Sequence, residues 1–125
     1  MKTFILALAM GVAGVAAQAE GVYGTWQTET SDKGAYLHVR VGPCGEKVCG
    51  VIDKVIGGDE SITGKTIIWD MADAGGGAFN GGKIWAPDQD KTYKSKMALE
   101  GNALIVSGCV LGGAICRSQN WSRVN

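Results

Sequence analysis

The sequence TYKSKMALEGNALIVSGCV, residues 92–110, decides the fold class of this chain. Two runs of alternating side chains flank Glu100-Gly101-Asn102, and a glycine-containing polar turn in that setting predicts a β-hairpin. Lysines are not buried unpaired, so the face of the first strand that carries Lys94 and Lys96 points outwards. The inward face of that strand then carries Tyr93, Ser95, Met97 and Leu99.

Strand-like runs of this kind recur at short intervals, whereas helical periodicity is absent beyond residue 20. The runs span residues 22–29, 36–41, 48–56, 66–69, 82–86, 92–99, 103–110 and 115–124. Seven or eight strands joined mostly by tight turns predict an antiparallel meander. Closing that meander on itself buries one face and removes the exposed edges. The predicted fold is therefore all-β, a small antiparallel up-and-down β-barrel of about eight strands, with an open sandwich as the alternative.

One face of the last predicted strand supplies polar and aromatic side chains to the barrel interior. Arg117, Gln119 and Trp121 alternate along it, and parity places them in the same interior as Val106. Buried Arg and Gln side chains need partners, which a small anion or carboxylate could supply. The alternative is a narrow barrel filled by its own side chains. The predicted ligand-binding residues are Arg117, Gln119, Trp121, Tyr93 and Trp85.

Residues 57–82 contain eight glycines and show little intrinsic order. Trp69, Met71 and Phe79 within this stretch nevertheless need burial. We expect a surface excursion that tucks these three side chains onto the barrel. The alternative is a lid that covers one mouth of the barrel and loosens to admit a ligand.

The four cysteines form two pairs in sequence, Cys44 with Cys49 and Cys109 with Cys116. Each pair brackets a short turn between predicted strands, so we expect two hairpin disulfides. Four cysteines allow three pairings, and the competing interpretation is a single zinc site built from all four thiolates.

The first 19 residues have the pattern of a secretory signal peptide. A lone basic residue, Lys2, precedes an apolar run, and Ala17-Gln18-Ala19 suits cleavage before Glu20. The run is shorter than a membrane-spanning helix requires, and no cysteine follows it for lipid attachment. We therefore predict one domain over residues 20–125, in the periplasm of a Gram-negative type envelope or secreted, with no membrane anchor after cleavage. Such an oxidising compartment favours disulfides.

Neither charge nor motifs indicate a nucleic-acid partner, a cofactor or an enzyme. Without Lys2 the chain has 11 basic and 12 acidic residues and no basic stripe. Alternation along residues 36–41 predicts that Leu37 points inwards and His38 points outwards. His38 is the only histidine in the sequence, so a Ser-His-Asp triad would have to include it, and an outward position does not favour that role. The Asp88-x-Asp90 pair lacks the rest of a calcium loop. We therefore predict no catalytic residue and no metal site.

Blocks along nearly the whole of residues 20–125 resemble one exported bacterial family, catalogued as domain of unknown function 2147. The resemblance rests on Gly24-Thr25-Trp26, Pro43-Cys44-Gly45, Cys49-Gly50, residues 81–87, Lys91-Thr92-Tyr93, residues 99–102, 108–112 and 116–121. It implies a lipocalin-like barrel in the periplasm or outside the cell, and no established activity.

Lipocalins carry a Gly-x-Trp in the first strand and an arginine late in the last. The resemblance therefore gives Gly24, Trp26 and Arg123 a structural role, with the Arg123 guanidinium stacked on the Trp26 ring where the barrel closes. The sequence of 125 residues is shorter than most lipocalins, and we expect it to form no C-terminal helix of the lipocalin kind.

Two functions are compatible with these features. The first is a periplasmic module that binds a small anionic or amphipathic molecule. The second is a structural or protein-interaction component of the cell envelope, with a filled barrel and an exposed apolar patch around Trp69 and Phe79.

Overall fold

The computed structural model describes residues 21–125 as eight β-strands and two short 3-10 helices. The strands are β1 (Gly24–Gln27), β2 (Tyr36–Cys44), β3 (Lys47–Ile56), β4 (Thr66–Gly75), β5 (Ala78–Ala86), β6 (Lys91–Glu100), β7 (Ala103–Val110) and β8 (Ile115–Arg123). The 3-10 helices are Glu60–Ile62 and Leu111–Gly113. The predicted signal peptide, residues 1–19, lies outside the described residues.

Each strand pairs antiparallel with the next, and β8 returns to pair with β1. Trp26 lies opposite Arg123 at this seam, which closes the barrel. The predicted all-β, up-and-down barrel of eight strands is thus confirmed. The predicted hairpin at Glu100-Gly101-Asn102 is also confirmed, since Glu100 pairs with Ala103.

The expectation of a surface excursion or lid over residues 57–82 is wrong. Most of this stretch forms β4 and the beginning of β5, two full members of the barrel wall. Gly76 and Gly77, with φ angles of 64° and 84°, form the two-residue turn between the strands, a conformation that glycine adopts without strain. Gly82 is buried. A Cβ at this position would lie 2.6 Å from both the Met71 Sδ and the Trp69 carbonyl oxygen, so the close packing here requires glycine.

The strand directions give the barrel two different ends. The β1–β2, β3–β4, β5–β6 and β7–β8 connections lie at one end, which we name the open end. The β2–β3, β4–β5 and β6–β7 turns lie at the other, the closed end, together with Gly21 and Asn125. Large apolar side chains fill the closed half of the interior: Val22, Trp26, Val41, Met71, Phe79, Met97 and Leu104.

Trp26 and Arg123 form the floor of the closed end. The Arg123 guanidinium lies 4.3 Å from the centre of the Trp26 ring and donates to the carbonyl oxygens of Gly21 and Tyr23. The Trp26 indole N–H donates to the Val22 carbonyl oxygen at 2.9 Å. Gly24, at φ 134°, leaves no room for a Cβ, which would meet the Asn125 carbonyl oxygen at 2.4 Å.

Both predicted disulfides are confirmed, Cys44–Cys49 and Cys109–Cys116. The first brackets the β2–β3 turn of the closed end, and the second joins directly opposed residues next to the β7–β8 connection of the open end. Within residues 21–125 no helix is long and apolar enough to cross a membrane.

Candidate functional site

A cavity of about 830 Å³ occupies the open half of the barrel and opens between the loops. Three connections of the open end contribute to its wall through Glu29, Ile62 and Pro87, and the adjoining ends of β7 and β8 contribute Val110 and Ile115. None of the seven large side chains that fill the closed half reaches it. The alternative of a barrel filled by its own side chains therefore does not describe this half of the interior.

All five residues predicted to bind a ligand line this cavity. Trp85 lies near the end of β5, and Tyr93 near the start of β6. Arg117, Gln119 and Trp121 alternate along β8, as parity predicts. Of these five, only Trp121 is fully buried, at 2% exposure, which places it towards the packed half of the barrel. That they bind a ligand stays a prediction.

Among the described residues that line the cavity, Arg117 is the one with a basic side chain. Its side chain is solvent-accessible, and within residues 21–125 the only salt bridge joins Arg40 to Asp53 on the outside of the barrel. No protein carboxylate therefore occupies the Arg117 guanidinium, whose planar fork of donors suits a carboxylate or sulfonate.

Gln119 is oriented by its neighbour on the same face of β8. The Trp121 indole N–H donates to the Gln119 side-chain carbonyl oxygen at 2.9 Å. This bond satisfies the indole N–H of the buried tryptophan. It also fixes the orientation of the Gln119 amide, because the amide oxygen is the end that accepts the bond. The Gln119 amide nitrogen has no hydrogen-bond partner within the part of the chain that the structure describes, so it can donate to a ligand.

Trp85 and Tyr93 are held by the β5–β6 turn at the cavity mouth. The Trp85 indole N–H donates to the Asp90 carboxylate at 2.9 Å, and the Tyr93 hydroxyl donates to the Gln89 side-chain oxygen. The Lys65 ammonium lies 5.4 Å from the centre of the Trp85 ring. Asp90 has a positive φ of 51°, which aspartate tolerates in turns.

Acidic residues occur at the mouth, but two of the three have local roles. One Glu29 carboxylate oxygen accepts the backbone N–H of Asn120 at 2.7 Å. Hydrogen bonds from Ser61, above all from its side chain and also from its backbone N–H, hold the pKa of Asp59 below its ordinary value. Asp88 also borders the cavity.

The wall between these polar groups is apolar and was only partly predicted. It includes Leu37, Val55, Ile62, Ile67, Ile84 and Val106. Strand alternation indicated that Leu37 and Val106 point inwards. Ile62 lies in a 3-10 turn, where no strand period applies, and Ile67 lies in a region interpreted as an excursion.

Other candidates from the sequence lie away from the cavity. The His38 ring nitrogen Nε2 lies 3.0 Å from the Gln27 side-chain oxygen, and His38 does not line the cavity. Among the described residues, no group of three or more His, Cys, Asp or Glu side chains is arranged to hold a metal ion.

A closed eight-strand antiparallel barrel with an open, ligand-sized cavity is a lipocalin-like architecture. A solved structure with this fold is protein HP1028 from the human pathogen Helicobacter pylori, which belongs to the lipocalin family. It matches with a TM-score of 0.69 over 83% of each chain, at 16% sequence identity, a likeness that shows the fold alone. The chain belongs to the bacterial family described as "Uncharacterized protein conserved in bacteria (DUF2147)", which matches residues 24–123. No curated protein matches the chain.

The lining of the cavity suits a ligand that is partly apolar and partly polar. An apolar wall takes up hydrocarbon or ring surface, while Arg117 and the Gln119 amide offer donors near one another on β8. A molecule with an apolar body and a single anionic group would satisfy both features at once.

Proposed function

We propose that this protein is an exported lipocalin-like module that binds a small amphipathic anion in the cavity of its open half. The observation that carries the proposal is the Arg117 guanidinium, which lines a cavity of about 830 Å³ and forms no salt bridge within residues 21–125. Cavities of roughly 300–1,000 Å³ with apolar walls and a few placed polar groups are typical of small-molecule sites.

Export to the periplasm or the exterior is part of this proposal. Its support is the pair of disulfides together with the signal-like residues 1–19. Structural disulfides persist in oxidising compartments and are rare in the reducing cytoplasm.

The alternative of an envelope interaction component receives less support. It required a filled barrel and an apolar patch at Trp69 and Phe79. Phe79 is buried at 1% exposure in the closed half, and Trp69 is half-buried. The patch expected from the sequence is therefore not formed.

Two fluorescent probes that share an apolar ring system test the role of Arg117. 8-Anilinonaphthalene-1-sulfonate is anionic, and N-phenyl-1-naphthylamine is its neutral counterpart. We expect both to bind the wild type. Arg117→Ala should weaken binding of the sulfonate by about tenfold or more, since hydrogen bonds to charged groups contribute roughly 1.5–3 kcal/mol. Binding of the neutral probe should change little.

Arg40→Ala is the matched control, since Arg40 is an exposed arginine on the outer wall. It should leave both affinities unchanged. Ile84→Trp places a larger side chain in the cavity wall and should weaken the binding of both probes. Equal loss of both probes in Arg117→Ala, or undiminished binding in Ile84→Trp, would contradict the proposal. Native mass spectrometry of protein purified from its own periplasm would then identify the natural ligand.

A further inference from the structure

Apolar side chains are exposed at one place on the open end. Within residues 21–125, the large hydrophobic residues that stay exposed are Val110, Leu111, Ile115 and Val124. The first three lie together where β7 ends, in the β7–β8 connection and where β8 begins. We name residues 110–115 the hairpin tip. Leu111 is 73% exposed and is held at a φ of 54°, so the backbone presents this leucine to the outside. No charged residue occurs from Ala103 to Cys116.

Lysines form a groove on the outer wall next to this tip. Lys83 lies directly opposite Lys94, and Lys96 lies two residues further along β6 on the same face. These three residues line an open groove of about 300 Å³, which we name the lysine groove. None of them has a carboxylate within 4.0 Å in the described part of the chain. Like charges placed directly opposite one another destabilise a sheet, and an anionic partner would remove that repulsion.

The hairpin tip and the lysine groove are continuous. Lys94 pairs with Cys109, and the Cys109–Cys116 disulfide and Gly113 line the groove. The acidic pair Asp59 and Glu60 lies on the β3–β4 connection, which is on the opposite side of the mouth in an eight-strand barrel. Asp88 and Asp90 lie nearer, on the β5–β6 connection, where Asp90 accepts the Trp85 indole N–H. Apolar insertion and positive charge therefore meet on one side of the open end.

We propose that the hairpin tip and the lysine groove together dock on the surface of an anionic phospholipid bilayer. The tip enters the boundary between headgroups and acyl chains, while the lysines contact lipid phosphates. Apolar area and attraction to anionic lipids are the two contributions that bind peripheral proteins to membranes. A second copy docked symmetrically through this surface would bring its own lysines against these, whereas anionic lipid neutralises them.

Docking would also bring the cavity mouth to the lipid. Val110 and Ile115 belong to the hairpin tip and line the cavity as well. An amphipathic ligand could then move between bilayer and cavity without crossing bulk water. This consequence rests on the proposed function, whereas the docking itself does not depend on it.

Flotation with vesicles of known composition tests the docking. We expect the protein to float with vesicles that contain phosphatidylglycerol, to stay with the soluble fraction in pure phosphatidylcholine, and to be released as salt screens the charges. Lys83→Gln and Lys94→Gln should each weaken partitioning about fivefold, the effect of one lysine near an anionic surface. Leu111→Asn should weaken it about tenfold, since asparagine tolerates the left-handed backbone.

Matched controls lie at the closed end. Lys47→Gln removes an exposed lysine there, and Val124→Asn removes the fourth exposed apolar residue. Both should partition like the wild type. Lys83→Gln relieves repulsion from Lys94 and should not lower the melting temperature, so lost flotation cannot be attributed to unfolding.

Three results would overturn the proposal. They are no flotation with anionic vesicles, equal flotation with neutral vesicles, and a dimer in sedimentation analysis that Leu111→Asn abolishes without lipid present. Because flotation needs no ligand, its failure would leave the probe experiment on Arg117 unaffected, and the reverse holds too.

Discussion

The closed half and the open half of this barrel are built from the same strands yet differ in what fills them. In the closed half, residues such as Trp26, Phe79 and Leu104 are buried to 1% exposure or less. In the open half, the same alternation brings Arg117, Gln119 and Tyr93 inwards around a cavity. One half therefore supplies the stability of the fold, and the other is available for binding.

The two halves should differ most in how much stability the protein loses when a side chain of each is truncated to alanine. Trp26→Ala removes a fully buried ring and the surface on which Arg123 stacks. We expect it to lower the free energy of unfolding by about 3–5 kcal/mol. Arg117→Ala, in the open half, should change it by no more than about 0.5 kcal/mol, since the side chain is exposed. Urea denaturation measures both. Equal losses would contradict the division into a packed and a hollow half.

Enlarging side chains tests the same division from the opposite direction. Leu104→Phe adds volume to the packed half and should cost about 1–3 kcal/mol. Ile84→Phe adds it to the cavity wall, where space exists, and should cost about 0.5 kcal/mol or less. Thermal unfolding of the two variants compares the costs directly. A larger cost for Ile84→Phe would mean that the cavity wall is as tightly packed as the floor.

Removing the arginine of the floor should have a smaller effect than removing its tryptophan. Arg123→Ala loses the stacking contact with Trp26 and the hydrogen bonds to Gly21 and Tyr23. We expect a loss of about 1–2 kcal/mol, because the residue is only half-buried. Arg123→Lys keeps the charge without the planar fork, so its free energy of unfolding should lie between those of the wild type and Arg123→Ala. Unchanged stability in Arg123→Ala would show that the closure does not depend on this contact.

The sequence predicted the features that are governed locally. Strand alternation and turn chemistry identified the β6–β7 hairpin and the inward face of β8, and the cysteine positions identified both disulfides. Parity states which side chains point inwards. It cannot state whether opposite walls meet, so the cavity was not predictable from the sequence.

The glycine-rich stretch shows where local interpretation failed. Its glycine content by itself indicates little order, yet Gly76 and Gly77 form a tight turn and Gly82 allows close contact with Met71. These are positions that strands require for turns and close approach. Only the residues that these glycines meet, such as Met71 and Trp69 on the neighbouring strand, distinguish that use from a mobile loop.

The smallest effect we predict concerns the rim of the open half. Asp59 accepts the backbone N–H of Ser61 at 2.9 Å and begins the 3-10 helix Glu60–Ile62. Its pKa in the folded protein is lowered from an ordinary value of 3.8, chiefly by the hydrogen bonds from Ser61. A lowered folded pKa means that the unfolded chain binds the proton more readily. The stabilisation is therefore fully present above pH about 4 and is lost as the pH falls through the folded value.

Asp59→Ala should thus lower the melting temperature at pH 7 by no more than about 2 °C, because the carboxylate is exposed and water competes for it. The difference from the wild type should shrink as the pH falls below 3.8 and disappear once the carboxyl is protonated in the folded protein as well. Asp32→Ala is the control, since Asp32 lies in the exposed β1–β2 loop and accepts no hydrogen bond within the described residues. If the melting temperature of Asp59→Ala stays below that of the wild type by the same amount at acidic pH, the charge of the carboxylate is not what caps the 3-10 helix. The rim would then be held by Ile62 and its apolar contacts, and the open half would resemble the closed half more than its cavity indicates.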